Sequence, residues 1–161
     1  MLQSAEGAPR EARPKGCQQA MTHEQIREFF AAQDQHWRNR DAAALADGHA
    51  ADGTIVSPIF RTVTGAREIA ASYKALFDIF PDWDLQAEDL LIDEQRVAQP
   101  FGVTATHRGE FMGLAGTGKP FTIQGVRLFV MRDGRIAHER RYYDFTGLLI
   151  QVGVLRSKPA S

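Results

Sequence analysis

Two side chains in the sequence have the right chemistry for proton transfer, and each ends a run of strand-forming residues. Asp144 follows Arg140–Tyr143, and His107 follows Thr104–Thr106. A carboxylate surrounded by aromatic rings loses hydration, which raises its pKa towards neutrality, where proton transfer is most efficient. We therefore predict a pocket acid/base at Asp144. The alternative is a cap or a salt-bridge partner, and for His107 a structural role in its strand.

Strand alternation decides which side chains can act together with Asp144. His138, Arg140 and Tyr142 share its face of the strand, whereas Tyr143 points to the other face. Tyr142 and Asp144 lie roughly 7 Å apart at normal strand rise, so that one ligand could touch both. On the strand that begins at Pro120, alternation separates Gln124 from Arg127 but leaves open which of them faces inward.

Other reaction chemistries find little support in the sequence. The segment Gly113–Pro120 resembles a phosphate-binding loop, but Pro120 stands where that motif needs Ser or Thr, so a hairpin loop is predicted. The five histidines show no metal-ligand spacing, and no metal is expected. A Gly-x-Ser-x-Gly motif is absent, and the single cysteine, Cys17, lies in the N-terminal extension, which disfavours covalent Ser or Cys catalysis.

Length and charge predict one ordinary globular domain. The chain has 161 residues, 43% of them hydrophobic, and a formal net charge of -1. No basic excess points to nucleic acid or an anionic membrane, and no apolar run approaches the roughly 20 residues of a membrane helix. One cysteine suits a reducing compartment, so we predict a cytoplasmic protein. We expect a disordered extension over 1–20, the domain over 21–155 and a tail over 156–161.

Periodicity places helices first in the chain and strands after them. Thr22 and Gln25 form a predicted capping box for a helix over 24–38, and Asp41 can cap a short helix over 42–49. A short strand over 54–57 precedes the strongest helix, whose apolar residues recur from Ala66 to Phe80. Strands are then predicted over 83–92, 96–109, 120–131 and 135–144, and an apolar tail over 148–155. This order indicates an α+β domain with helices packed on one face of a curved antiparallel sheet.

Several motifs resemble the SnoaL-like polyketide cyclases, also called ester cyclases. The resemblance covers most of 21–155, and its specific parts are His107-x-Gly-x-Phe-x-Gly113 and Asp144-x-x-Gly-Leu-Leu-x-Gln-x-Gly153. It implies the nuclear transport factor 2-like fold, in which a cone-shaped antiparallel sheet wraps around N-terminal helices and encloses one apolar pocket. It also implies a homodimer.

The resemblance further implies catalytic roles for Asp144, as general acid/base, and for His107. The expected reaction is an aldol-type ring closure within a small hydrophobic or aromatic ester or ketone, with no cofactor. Candidate substrate contacts are Trp37, Ser57, Gln124, Arg140 and Tyr142. Arg140 stands where many relatives carry Trp, and a cation near the pocket would suit a more polar or anionic ligand.

Three other functions remain open at this point. A double-bond isomerase of the ketosteroid isomerase type would use the same carbon-acid chemistry. A non-catalytic binder of small hydrophobic molecules would use the pocket alone, because a fold does not fix a function. An epoxide hydrolase would need a second carboxylate facing Asp144, and the sequence shows no obvious one.

Overall fold

The computed structural model describes residues 20–156, so the predicted extension and tail lie outside the described residues except for their inner ends. It confirms the α+β class. The helices are α1 His23–Asn39, α2 Ala42–Asp47, α3 Ala66–Ile79 and α4 Phe145–Val152. The strands are β1 His49–Ser57, β2 Arg61–Thr64, β3 Asp84–Ala87, β4 Leu91–Asp93, β5 Arg96–Thr106, β6 Pro120–Arg132 and β7 Arg135–Tyr143.

The seven strands form one curved sheet in the order β2-β1-β7-β6-β5-β3, and β4 pairs with β5 beside β3. All neighbouring strands are antiparallel except β1 and β7, which run parallel with Ile55 opposite Glu139. The pairing of β5 with β6 runs without a break from Arg96 opposite Val130 to Thr106 opposite Pro120. Alternation along these long strands therefore gives each side chain a definite face.

The helices begin where the sequence predicts capping. Thr22 and Gln25 form the capping box of α1, and the Asp41 carboxylate accepts from the backbone N–H of Ala44 at the start of α2. The glycine-preceded helix α3 has no side-chain cap at its start and ends at Ile79, followed by the C-cap residue Phe80 and then Pro81. These helices bury their apolar faces against the sheet surface that we call the inner face; the opposite surface is the outer face.

Two clusters of buried apolar side chains hold the fold together. The larger cluster joins α1, α2 and α3 to the inner face through residues such as Trp37, Tyr73 and Phe121. The smaller one packs Ile26 and Phe30 of α1 against Phe129 of β6. Among the described residues, no helix is both long and apolar enough to cross a membrane.

Four features differ from the prediction, each for a local reason. The strand predicted over 83–92 is two short strands, β3 and β4, because the chain leaves the edge of β5 between them. The sequence predicts a turn over 62–65, but the residues before Gly65 form β2, paired with β1. Strand β1 begins at His49, within the predicted second helix, which ends at Asp47. The apolar tail is mostly helix α4, which Asp144 caps.

Candidate functional site

A narrow cavity lies between the helices and the inner face of the sheet. We call it the inner cavity. Its free volume is only about 20 Å³, room for about one water molecule, so a larger ligand requires the side chains of the wall to move apart. The wall is aromatic and aliphatic except for two arginines and a serine. It is formed by Trp37, Ser57, Ile59, Phe60, Leu76, Trp83, Leu85, Phe101, Arg127, Arg141 and Tyr143.

Arg127 of β6 places a guanidinium in the wall of the inner cavity. Its Nη2 donates to Gln99 Oε1 at 2.5 Å and lies 3.4 Å from Asp34 Oδ1. The guanidinium also lies over the rings of Trp37 and Phe101, 5.4 and 5.8 Å from their centroids. Burial lowers the pKa of Arg127, because removal from water penalises its charge. Arg127 is thus a buried cation with an incomplete set of partners.

Arg141 of β7 is the second cation in the wall, and it is held by an ion pair. Its Nε donates to Glu139 Oε1 at 2.6 Å, and its Nη2 donates to the Tyr73 hydroxyl at 2.9 Å. The Tyr73 hydroxyl lies 3.4 Å from Glu139 Oε2, to which it donates. Burial and the Glu139 charge raise the pKa of Tyr73, so its hydroxyl stays protonated. These contacts fix the guanidinium of Arg141 against Trp37.

Glu139 is fully enclosed, and two donors besides Tyr73 stabilise its charge. Burial alone would raise the pKa of its carboxyl, but Arg141 and the hydrogen bond from His49 together hold that pKa well below its usual range. His49 Nε2 lies 3.1 Å from Glu139 Oε2, and His49 Nδ1 lies 3.1 Å from the Leu45 carbonyl oxygen. The network therefore joins α2, α3, β1 and β7 behind the inner cavity.

Two buried N–H groups of the cavity-lining residues have no acceptor. Among residues 20–156, the indole Nε1 of Trp83 and the Nε of Arg127 are buried without a hydrogen-bond partner. An unsatisfied buried donor costs about 1–3 kcal/mol, and more when it is charged. Tyr143 is satisfied by the backbone of Ile59, and burial raises its pKa to about 12. The inner cavity thus offers donors to a ligand that brings acceptor atoms.

The structure places two of the predicted substrate contacts at the inner cavity. Trp37 and Ser57 both line it and are 2% and 6% exposed. The Ser57 Oγ accepts from the backbone N–H of Phe60 at 3.2 Å, which ties the turn between β1 and β2 to the cavity rim.

Three other predicted contacts, Gln124, Arg140 and Tyr142, do not reach the inner cavity. All three side chains are exposed on the outer face. The predicted alternation along β7 is correct, but the inward set is Glu139, Arg141 and Tyr143. On β6 the inward residue is Arg127 rather than Gln124. The sequence predicts that Arg140 places a cation near the pocket. The arginine of β7 that lines the inner cavity is instead Arg141, on the opposite face of the strand.

Asp144 does not lie in an apolar pocket. Its side chain is exposed, and its Oδ1 accepts from the backbone N–H of Gly147 at 2.8 Å as the N-cap of α4. The placement predicted from the sequence is therefore wrong, because the four residues after Asp144 form a helix whose free amides bind its carboxylate.

His107 is fully buried beside Phe80 and Phe111, but it is not among the residues that line the inner cavity. Its Nδ1 lies 3.0 Å from Thr117 Oγ1, whose hydroxyl donates to the Val152 carbonyl oxygen. Its Nε2 is buried without a partner among the described residues. A catalytic role for His107 stays a prediction, and the contacts shown connect the 107–119 loop to α4.

The polar residues behind the cavity were missed by sequence reasoning. His49 had been assigned to a helix end, and Tyr73 to a purely apolar stripe. A signal was present in the strand sequence His138-Glu-Arg-Arg-Tyr-Tyr143, where Glu139 and Arg141 lie two residues apart and so share one face. Opposite charges at that spacing can pair when their face is buried. Within the described part of the chain, no group of three His, Cys, Asp or Glu side chains could hold a metal ion.

Comparisons with known proteins agree with this architecture. A family model described as SnoaL-like polyketide cyclase matches residues 25–152. No curated protein sequence matches the chain significantly. The fold is similar to AclR from Streptomyces galilaeus, titled as a proposed hydroxylase, with TM-score 0.73, 24% identity and coverage of 86% of this chain and 91% of AclR.

Two further solved structures share the fold. IdmH from Streptomyces antibioticus, titled as a proposed polyketide cyclase, gives TM-score 0.66 and 24% identity over 81% of this chain and 99% of IdmH. A protein from Catenulispora acidiphila with a ketosteroid isomerase-like fold gives TM-score 0.67 and 21% identity over 78% of this chain and 92% of that one. These likenesses confirm the predicted fold.

Proposed function

Because the chain belongs to the SnoaL-like polyketide cyclase family, we propose that it is a cyclase-like enzyme that stabilises an enolate in the inner cavity. The observation that carries the proposal is the pair of buried, unpartnered donors, Trp83 Nε1 and Arg127 Nε, in residues that line the cavity wall. Donors that are already in place where negative charge develops are a strong source of catalysis. Here Trp83 Nε1 would stabilise the oxygen of an enolate, and the positive charge of Arg127 would favour a negatively charged ligand.

The proposed reaction is an intramolecular aldol addition. Water at the mouth of the cavity takes a proton from the carbon beside a carbonyl, and the carbon of the resulting enolate attacks a second carbonyl of the same molecule. A carbon–carbon bond forms, the second carbonyl oxygen becomes an alkoxide, and the proton returns to it. The aromatic wall, with Trp37 and Phe101, would hold a small ketone or ester in a folded conformation and exclude water.

Proton transfer by Asp144 is the finer mechanism that the sequence predicts. The geometry gives it no support, since the carboxylate caps α4 outside the inner cavity. The proposal therefore rests on the donors, and the role of Asp144 is tested separately below.

Binding of para-nitrophenol tests the proposed donors, because its phenolate places negative charge on an oxygen beside an sp² carbon, as an enolate does. We expect the protein to bind the phenolate in preference to the phenol, so that the pKa of the bound ligand falls, measured by absorbance. Trp83→Phe keeps the ring and removes the N–H, and should weaken phenolate binding about tenfold. Leu148→Met, a volume-conserving change at a buried residue that does not line the inner cavity, should not.

An equal pKa shift in the wild type and in Trp83→Phe would contradict the assignment of this donor. Turnover is tested with heptane-2,6-dione, whose internal aldol addition gives 3-hydroxy-3-methylcyclohexanone. We expect ring closure faster than in buffer, and slower with Arg127→Met than with wild type. Phenolate binding without any acceleration of this or related diketones would favour a non-catalytic binder instead.

A further inference from the structure

The buried charges around the inner cavity do not balance. His49 has an acceptor at each ring nitrogen, the Leu45 carbonyl oxygen at 3.1 Å and Glu139 Oε2 at 3.1 Å. A carbonyl oxygen only accepts, so His49 Nδ1 carries a proton. His49 Nε2 and Glu139 Oε2 would then both be acceptors, so one of these two atoms must carry a further proton. Whichever atom carries that proton, the His49–Glu139 pair has a net charge of zero. Glu139 therefore adds no net negative charge to offset the arginines, although Arg141 also donates to its carboxylate.

Two guanidiniums and one carboxylate remain. Arg127 and Arg141 are cations in the cavity wall, and Asp34, whose side chain is 20% exposed, is the other carboxylate facing Arg127. Tyr73 and Tyr143 stay protonated, since burial raises the pKa of both hydroxyls. The described surroundings of the cavity therefore carry one positive charge in excess. A buried charge without a counter-charge is costly, and a bound anion would remove that cost.

The excess charge and the unused donors occur in the same wall. Arg127 Nη2 is occupied by Gln99 and Asp34, but Arg127 Nε has no acceptor, and neither has Trp83 Nε1. Both groups can only donate. Both residues line the inner cavity. Their two free N–H groups and the excess positive charge favour a ligand with two acceptor oxygens and a negative charge.

We propose that the substrate is a small keto acid, rather than the corresponding neutral ester, and that its carboxylate binds Arg127 Nε while Trp83 Nε1 remains for the enolate oxygen. This inference rests on the proposed function and names the substrate class of the same site. Arg141 supplies the second positive charge, and Glu139 and Tyr73 are positioning residues that hold it against Trp37. The outer-face cation Arg140 takes no part.

Benzoate and acetophenone test the inference, because they match closely in size and differ mainly in a carboxylate against a neutral ketone. We expect calorimetry on the full chain to show benzoate binding about ten- to a hundredfold tighter than acetophenone. Arg127→Met should abolish this preference. Because Arg127 pairs with Asp34, its removal also lowers stability, so the fold of the variant is checked by circular dichroism. Trp83→Phe should leave the preference nearly unchanged, because it removes only the donor to the enolate oxygen.

Arg96→Met is the matched control, because it removes one positive charge from an exposed position of β5. It should leave the preference for benzoate unchanged. Equal affinity for benzoate and acetophenone, with phenolate still bound, would overturn the carboxylate inference and leave the proposed function standing. Failure to bind benzoate, acetophenone and para-nitrophenol alike would overturn both.

Discussion

Asp144 illustrates how one side chain can satisfy two opposite interpretations of a sequence. It ends a strand rich in aromatic residues, which suggested a buried acid, and it precedes a helix, which makes it an N-cap. The structure shows the capping contact with Gly147 and an exposed carboxylate. Asp144 is a helix cap rather than a buried acid because the residues after it, Phe145–Val152, form α4.

Two substitutions separate capping from proton transfer at Asp144. Asparagine caps helices as well as aspartate does, so Asp144→Asn should leave the free energy of unfolding and the turnover of a diketone nearly unchanged. Asp144→Ala should lower the free energy of unfolding by about 1 kcal/mol, measured by urea denaturation. A fall in kcat of about a hundredfold or more in Asp144→Asn, with normal stability, would instead establish it as the acid/base.

At the scale of single residues, the sequence identified some of the site. Trp37 was recognisable because it continues the apolar stripe of α1, and it does line the inner cavity. Arg127 and Arg141 were not, because an arginine in a strand is ordinarily assigned to the solvent face. Only the pairing of Arg141 with Glu139, and of Arg127 with Gln99 and Asp34, makes their burial possible.

At the scale of elements, alternation correctly separated the two faces of β6 and β7 but did not reveal which face is inside. Both faces of β7 carry large and charged side chains, so hydrophobicity gives no clear direction. Contacts with residues distant in the sequence decide which face of β7 is inside, since His49 of β1 and Tyr73 of α3 contact Glu139. Contacts between residues 66 to 90 positions apart cannot be read from a local pattern.

The outer face of the sheet exposes an apolar patch. Leu128 and Val130 are each 41% exposed, Tyr142 is 49% exposed, and they line a broad groove with Val56 and Leu91. Apolar patches of this kind commonly mark interfaces. We propose that a second copy of the chain covers this face, which would give the homodimer that the resemblance implies.

Light scattering tests this proposal directly. We expect twice the mass of one chain at micromolar concentration, and the mass of one chain for Leu128→Lys, because a charge in the patch is costly to bury. Ala71→Lys adds the same charge at an exposed position of α3 and should leave the mass unchanged. A monomeric wild type, or a dimeric Leu128→Lys variant, would contradict the proposal.

At the scale of the whole molecule, the Glu139 network makes stability depend on pH. The pKa of the folded Glu139 lies well below the ordinary value of 4.5 that applies to the unfolded chain. The unfolded chain therefore takes up a proton first as the pH falls. The contribution of Glu139 is complete above that ordinary value and is lost progressively as the pH falls towards the folded pKa.

Glu139→Gln should remove this contribution. At neutral pH we expect the free energy of unfolding to fall by about 3–5 kcal/mol, since Arg141 and His49 lose their buried partner. Between pH 6 and pH 3 the variant should lose less stability than the wild type, measured by urea denaturation at each pH. Glu88→Gln, at an exposed position, is the control. A parallel decline in wild type and Glu139→Gln would contradict this role for the carboxylate.

The position of β7 in the sheet has a consequence for the order of assembly during synthesis. Among the strands of residues 20–156 it is made last, yet it lies between β1 and β6 and joins them. A nascent chain that ends before Arg135 can pair β5 with β6 and β1 with β2, but it cannot unite these two halves. Sequence-distant pairing of this kind slows folding. Until β7 leaves the ribosome, the halves remain separate, with apolar strand surfaces open to chaperones.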